Sequence, residues 1–389
     1  MNIEYILLFA LAAFCITWFV YPLTIRLAKR YNIVDEPDAR RKLQKEPIPV
    51  LGGAAVAVGI FVPLTFAAVY FHQPKLWYEI AVMLCMLIIG ITDDIRGLSA
   101  WFRFVIEMFI VWFLLWRTHI LIDNFHGLWE MKQLTVYSSL PLSLIAGVGV
   151  INAINLIDGV DGYSSGYGIM ANTLFAIAFY TFSESTYALF SAVAAAALLP
   201  FFLHNVFGKT SKMYIGDGGS LLIGMVMVCN IFALLSNTSL IGKQMHEVGL
   251  GAVAFSLAVL CIPVFDTLRV MFARILSGGS PFMPDKTHLH HLFIDMGFSH
   301  VGTSLTIVLL NASVVLLWAI GYKLGASIDM QFYIVVLAGI VDTFGLYYGM
   351  RWCEKNNHPL WHRMQRIGKW THFEHKGAWL TIQKWIDKV

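Results

Sequence analysis

Eleven strongly apolar stretches follow one another along the chain, near residues 4–23, 52–71, 78–92, 104–120, 140–156, 166–182, 187–204, 219–235, 248–266, 303–322 and 330–350. Each approaches the ~20 residues that cross the hydrocarbon core of a bilayer as a helix. Backbone groups in lipid must find their hydrogen bonds inside the segment, so helices are expected throughout. Composition agrees, because 58% of the 389 residues are apolar or aromatic and only 13% are charged. A soluble surface of this extent needs about twice that charged fraction. The expected fold class is therefore all-α and polytopic, with 1–350 as a membrane domain. Residues 351–389 form a separate basic, Trp-rich tail.

The first stretch, MNIEYILLFALAAFCITWFVYPL, has neither a basic leader nor a small-residue cleavage site. It reads as a first membrane helix and not as a removed signal peptide. Of the five cysteines, Cys15, Cys85, Cys229 and Cys261 lie in apolar runs and Cys353 in the tail. Their spacing suits neither a metal cage nor a disulfide framework, and they are expected to be small packing residues.

The net charge of +3 gives no reason to invoke nucleic acid; the placement of charge is more informative. With the N-terminus outside, loops 24–51, 93–103, 157–165, 205–218, 267–302 and the tail fall on one side. Together they hold 22 of the 27 Lys and Arg, leaving Lys75, Arg117, Lys132, Lys243 and Lys323 for the other. By the positive-inside rule, the first set and the C-terminus face the cytoplasm.

The polar motifs fall in that same set: PIPVLGG (47–53), Asp93-Asp94, NLIDGVDG (155–162), YIGDGGS (214–220) and HLHH (288–291). Singly, each has a plain structural explanation. Asp93-Asp94 beside Arg96 suits a hydrated helix end, NLIDGVDG a turn, and YIGDGGS a tight helix start. The His cluster lacks a Cys or nearby carboxylate to complete a zinc site, and suits proton transfer or phosphate binding better. Convergence changes the balance. Asp93, Asp94, Asp158, Asp161 and Asp217 at one interface, with a glycine-rich helix start, describe a site for a cation and phosphates. Lys45, in the loop before PIPVLGG, offers countercharge. The position at the lipid boundary suggests a substrate anchored in the bilayer.

The order and spacing of these five motifs resemble the polyprenyl-phosphate N-acetylhexosamine-1-phosphate transferases, relatives of the phospho-MurNAc-pentapeptide transferase. The resemblance spans roughly residues 1–350. PIPVLGG and HLHH look more like the branch using UDP-N-acetylglucosamine; the peptidoglycan branch tends to have PTMGG and three adjacent histidines. The resemblance implies transfer of a sugar-1-phosphate from a UDP-sugar to undecaprenyl phosphate at the bacterial inner membrane, with release of UMP. By motif, Asp217 resembles the ligand of magnesium, for which manganese can substitute. Asp93 and Asp94 resemble the pair that binds or deprotonates the lipid phosphate, and are candidate catalytic residues. Asp158, His290 and His291 are candidate catalytic residues, and Lys45, Asn155, Asp161, Asn205 and His288 candidate substrate contacts. A homodimer is compatible with the family.

This chain departs from the family in having Gln44 where a histidine is frequent, and in a longer stretch between Asn205 and GDGGS. The tail matches no family motif. It is expected to lie on the inner membrane surface, where Trp and basic residues gain from the interface and from anionic lipid. Cutting it after Cys353 is expected to leave the chemistry intact. The alternatives are the peptidoglycan transferase, a transporter and a non-enzymatic scaffold, the last of which would not need five polar motifs on one face. A transporter would hold its polar groups near the midplane, where this sequence offers only Glu107, Asn311 and Asp342, read as hydrogen bonds between helices.

Overall fold

A computed structural model of the chain describes residues 1–35, 47–131, 133–281, 286–372, 374 and 376–388. It begins with α1 (Ile3–Arg30), a short antiparallel pair β1 (Val34–Asp35) and β2 (Ile48–Pro49), α2 (Gly52–Tyr70), α3 (Pro74–Arg96) and α4 (Ala100–Thr118). There follow α5 (Val136–Leu156), α6 (Tyr163–Thr181), α7 (Ser185–Phe207), α8 (Gly216–Leu235) and the short α9 (Leu240–Glu247). The remainder comprises α10 (Ala252–Val259), α11 (Cys261–Leu276), α12 (Leu289–Asp295), α13 (His300–Lys323), α14 (Ile328–Ile340), α15 (Leu346–Lys355), α16 (Pro359–Trp370) and α17 (Ala378–Ile386).

Every apolar stretch is helical. Among the described residues, eight helices are long and apolar enough to cross a membrane, or nine with α10 and α11 taken as one broken span. The shortfall from eleven falls on α4 and α6. The first carries Arg103, Glu107 and Arg117, and the second opens on Tyr-Ser-Ser-Gly-Tyr-Gly and contains Asn172. These polar groups face partners within the bundle: Glu107 is fully buried against Arg103 and Asn152, and Asn172 accepts from Asn230 on α8. The expectation that Glu107 joins helices holds.

One expected helix, 248–266, is broken. Its halves α10 and α11 meet at 73°. Pro263 has no N–H to give the carbonyl four residues back, that of Val259. That oxygen accepts instead from Tyr167 Oη at 2.8 Å and Asn311 Nδ2 at 2.9 Å, while Asn311 Oδ1 accepts from Ile262 N at 2.9 Å. Asn311 thus satisfies backbone groups freed at membrane depth. A π-turn at Val341–Gly345, which includes Asp342, interrupts the last span between α14 and α15.

Helix α8 is the axis of the fold, with its entire apolar window buried. It can sit there because glycine lets its start approach two neighbours. A Cβ on Gly90 of α3 would stand 2.4 Å from the backbone of Gly218, and one on Gly53 of α2 would stand 2.3 Å from that of Gly219. Small residues at such crossings allow backbones to touch. The cytoplasm-assigned loops accordingly gather around the start of α8. Val50 bridges Tyr214, Gly52 N donates to Tyr214 O at 2.9 Å, and Gly53 N to Ile215 O at 2.9 Å. PIPVLGG is thus a short strand and helix start that grips the segment leading into GDGGS.

Candidate active site

A cavity of about 620 Å³ opens where these loops meet. Its wall includes Asp94, Asp158, Asp161, Asn205, Asp217, His290 and His291, so seven of the residues expected from sequence line one space. Asp93, Asn155 and His288 stand behind that wall, and Lys45 lies outside the described residues.

Asp217 is placed by the first turn of α8. Gly216 has φ +72, a left-handed conformation that glycine adopts without a Cβ penalty, and it turns the chain into the helix. Asp94, at the end of α3, then clamps this start: its Oδ1 accepts from Asp217 N at 2.9 Å and its Oδ2 from Gly218 N at 3.2 Å. A carboxylate at a helix N-terminus is favoured by the dipole and by otherwise unpaired amides. Asn155 Nδ2 donates to Asp217 Oδ1 at 2.7 Å and to Ser220 Oγ at 2.8 Å, while the Asp217 side chain keeps 37% exposure to the cavity. Asp93 is not part of the cavity lining. Its Oδ1 accepts from Leu98 N at 2.6 Å and its Oδ2 from Arg103 at 2.8 Å.

Arg103 is a residue that motif reading missed. Its guanidinium reaches Asp93, Glu107 at 3.5 Å and Asp217 at 3.8 Å. The available signal was Arg103 and Glu107 one helical turn apart in an otherwise apolar helix, an (i, i+4) pair.

The opposite wall is organised around Asp161. Lys212 Nζ is 2.6 Å and His300 Nδ1 3.4 Å from Asp161 Oδ2. Burial opposes that charge, yet His300 and Lys212 together hold the Asp161 carboxyl below its usual range. Asn205 completes the corner, its Oδ1 accepting from Gly162 N at 2.7 Å and its Nδ2 donating to Met213 O at 2.9 Å. Both amide ends of Asn205 therefore tie loops together. Neither Lys212 nor His300 belongs to a motif, and their isolation in the sequence hid them. Nearby, Asp158 accepts from Ser164 Oγ at 2.6 Å. Burial, with Asp217, Asp94 and Asp161 adding like charge, pushes the Asp158 carboxyl up to about 7, against the Ser164 hydrogen bond.

The histidines divide. His288 is buried and pairs through Nδ1 with Asp266 Oδ2 at 3.0 Å, while Arg269 holds Asp266 Oδ1 at 2.6 Å and lies 3.8 Å over the Tyr347 ring. His290 and His291, with ring centroids 4.2 Å apart, face the cavity. Burial first, then the neighbouring histidines, pushes His290 down to about 3, so it is a neutral imidazole at physiological pH.

Among the described residues, no three His, Cys, Asp or Glu side chains group closely enough to hold a metal by themselves. Asp217 presents a partly open carboxylate from a helix start. That donor set suits a hard cation which takes one or two carboxylates and leaves other positions to substrate oxygens and water.

Residues 76–236, from α3 through α8, match glycosyl transferase family 4. The undecaprenyl-phosphate alpha-N-acetylglucosaminyl 1-phosphate transferase of Escherichia coli K12 is 30% identical over 301 residues, 76% of this chain and 77% of the relative. This chain belongs to glycosyl transferase family 4. The Yersinia pestis transferase of the same description is 28% identical over 309 residues, 77% of this chain and 80% of the relative. That of Salmonella typhimurium is 29% identical over 288 residues, 73% and 74%. The family-matched segment carries Asp93, Asp94, Asn155, Asp158, Asp161, Asn205 and Asp217, together with the unanticipated Arg103 and Lys212. The match thus covers the α8 wall and Asp161 with Lys212, while His288, His290, His291 and His300 lie beyond it.

Proposed function

We propose that this protein transfers N-acetylglucosamine-1-phosphate from UDP-N-acetylglucosamine to undecaprenyl phosphate, releasing UMP and starting an envelope glycan. The observation that carries the reading is the Asp217 carboxylate, aimed from a helix start into a cavity at the mouths of apolar helices. A phosphate-bearing lipid can enter such a place from the side and a water-soluble nucleotide from the front. A lipid-phosphate oxygen attacks the β-phosphorus of the donor, forming one P–O bond as the bond to UMP breaks. Both reactants are anionic, so catalysis consists mainly of holding them in line and compensating charge.

Asp217 would hold magnesium, with manganese as a substitute, and the bound ion would neutralise the donor pyrophosphate. Asp94 keeps Asp217 aimed by fixing the amides beneath it. Asn155 orients one of the Asp217 oxygens and leaves the other toward the cavity. His290 and His291 offer ring nitrogens to phosphate oxygens, and Asp161 and Asn205 shape the donor side. Asp93 serves as a positioning residue through Arg103. The lipid phosphate has a second pKa near ~6 and is largely dianionic at neutral pH. It carries little proton for an aspartate to remove, which favours direct displacement over a covalent aspartyl-phosphate.

The membrane arrangement that accompanies this reading has eleven crossings in the bacterial inner membrane, N-terminus outside and C-terminus and cavity cytoplasmic. In a cysteine-free background, single cysteines at Lys209 and Glu247 should react with impermeant reagent from the inside and the outside respectively. The reverse pattern would remove the cytoplasmic donor. Turnover is tested with the purified full chain, undecaprenyl phosphate and a panel of UDP-sugars, reading UMP. Release with UDP-N-acetylglucosamine is expected. Release with UDP-MurNAc-pentapeptide alone would assign the chain to the peptidoglycan branch.

A further inference from the structure

The basic tail was expected to rest on the membrane surface, and its exposed Trp370 suits that place. Two of its contacts have a different character. Asp387, just beyond α17, inserts its carboxylate into the loop that follows α7. Its Oδ1 accepts from Lys209 N, Thr210 N and Ser211 N, each at 3.1 Å, and from Ser211 Oγ at 2.8 Å; its Oδ2 accepts from Lys209 N at 3.2 Å. Three consecutive amides around one carboxylate form an anion nest, and here the anion comes from the chain itself. The burial that opposes its charge is outweighed by these hydrogen bonds, which hold the Asp387 carboxyl below its ordinary range. The helix is seated by aromatic contacts, Trp379 on Phe207 at 4.4 Å and Trp385 on Trp18 at 5.1 Å. Tyr21 Oη donates to Ser211 O at 3.0 Å, so the loop is held from α1 as well.

The second contact follows α16. Thr371 Oγ1 accepts from Ser299 N at 2.9 Å, Ser299 Oγ donates to Thr371 O at 2.9 Å, and His372 Nε2 lies 3.0 Å from Gly297 O. Ser299 is the N-cap of α13. The residue after Ser211 is Lys212, and the residue after Ser299 is His300. These are the two partners of Asp161 across the cavity. The tail therefore grips both segments that carry these partners of Asp161, one residue away from each.

We propose that the 356–388 tail is a brace for the donor side of the active site, with Asp387 a positioning residue that acts through Lys212 and Thr371 one that acts through His300. The brace rests on the donor reading above and deepens it. A loop released from Asp387 has three amides with no carboxylate to bind and lets Lys212 leave Asp161. Water replaces those bonds at modest cost in stability, but the wall loses its preorganisation, which is what ligand binding draws on. Among the described residues, the tail contacts named above do not reach the wall that carries Asp94 and Asp217, so the lipid substrate should not register the change.

The test uses the purified full chain carrying Asp387→Ala, Asp387→Asn, Lys212→Ala or Asp387→Ala with Lys212→Ala. Asp387→Ala should raise KM for UDP-N-acetylglucosamine about tenfold, with kcat and the KM for undecaprenyl phosphate each within about twofold of the parent. Asp387→Asn keeps an acceptor oxygen and should recover part of the loss. The double variant should match Lys212→Ala alone, because the brace acts through that lysine. Additive effects, or an unchanged donor KM in folded Asp387→Ala, would overturn the proposal. Hydrogen exchange at Lys209–Lys212 is read in parallel without substrate and should quicken in Asp387→Ala; unchanged protection also overturns it. If the parent enzyme turned over no UDP-sugar, the donor reading would fail while exchange still decided the brace. Should Asp387→Ala fold poorly, Asp387→Asn provides the same readouts in smaller measure, and Thr371→Val should raise the donor KM through the His300 arm; an unchanged donor KM in both would overturn the proposal.

Discussion

The two walls of the cavity use similar residues and treat charge in opposite ways. On the α8 wall, Asp93, Glu107 and Asp217 lean on the single guanidinium of Arg103, and Asp94 adds a further carboxylate beneath Asp217. On the other wall, Asp161 is met by both Lys212 and His300. One wall is left with more negative than positive side chains among the described residues, and the other is balanced before any substrate arrives. The contrast bears on where the proposed cation would sit. Like charges in a partly dry site are costly, so the α8 wall would gain most from a bound cation, whereas Asp161 already has its partners in Lys212 and His300.

The sharpest break of that contrast is Asp217→Asn, which preserves shape and removes the charge that faces the cavity. Turnover, read as UMP or labelled lipid product, should fall at least about a hundredfold, the scale of losing one strong transition-state contact. EDTA should abolish the parent activity, and magnesium or manganese should restore it where zinc does not. Restoration by zinc alone, or parent rates in Asp217→Asn, would show that the α8 wall is not the metal side.

A smaller effect is expected across the cavity. Lys212→Met keeps the aliphatic stem but strips Asp161 of its closest cation. Charge-assisted hydrogen bonds are worth ~1.5–3 kcal/mol, so the donor KM should rise about tenfold or somewhat more, with a lesser change in kcat. A collapse of kcat with unaltered donor KM would instead move Lys212 into the chemical step.

The smallest effect concerns Asp158, which lies between the walls. Its folded carboxyl titrates at about 7, above the ordinary value of 3.8. The proton it retains favours the folded state, so that contribution is complete below about pH 4 and is lost as pH rises through 7. In metal-free detergent solution the melting temperature of the parent should therefore decline between those limits more steeply than that of Asp158→Asn. Parallel pH profiles would mean that Asp158 ionises freely and that its surroundings are wetter than the cavity geometry implies.

Much of the architecture was legible because lipid imposes a simple rule. Apolar runs near membrane length became helices, and the motif-bearing loops converge on one cavity. The pairing of Asp94 with GDGGS was not legible, although both motifs were, because it depends on Gly90 and Gly53 letting α8 slide between α2 and α3. The break at Pro263 was visible as a proline, but its tolerance rests on Asn311 from a distant helix. Arg103 and His300 gave no motif signal, since a single charged residue in a long chain becomes functional only through what it faces.

The tail marks that boundary most plainly. Its tryptophans and basic residues in sequence describe an amphipathic surface segment, and by physical chemistry that is a sound expectation. Where Asp387 ends up is decided by three backbone amides at the end of α7 and by aromatic seats on α1 and α7. The sequence by itself determined the class of the protein, because hydropathy, the placement of charge and ordered motifs are properties of the chain read locally. Only the tertiary structure decided which carboxylate clamps a helix, which one opens to the cavity, and which loop the tail restrains. Those are distances between groups far apart along the chain, and backbone amides that recognise a carboxylate leave no mark in the sequence that supplies them.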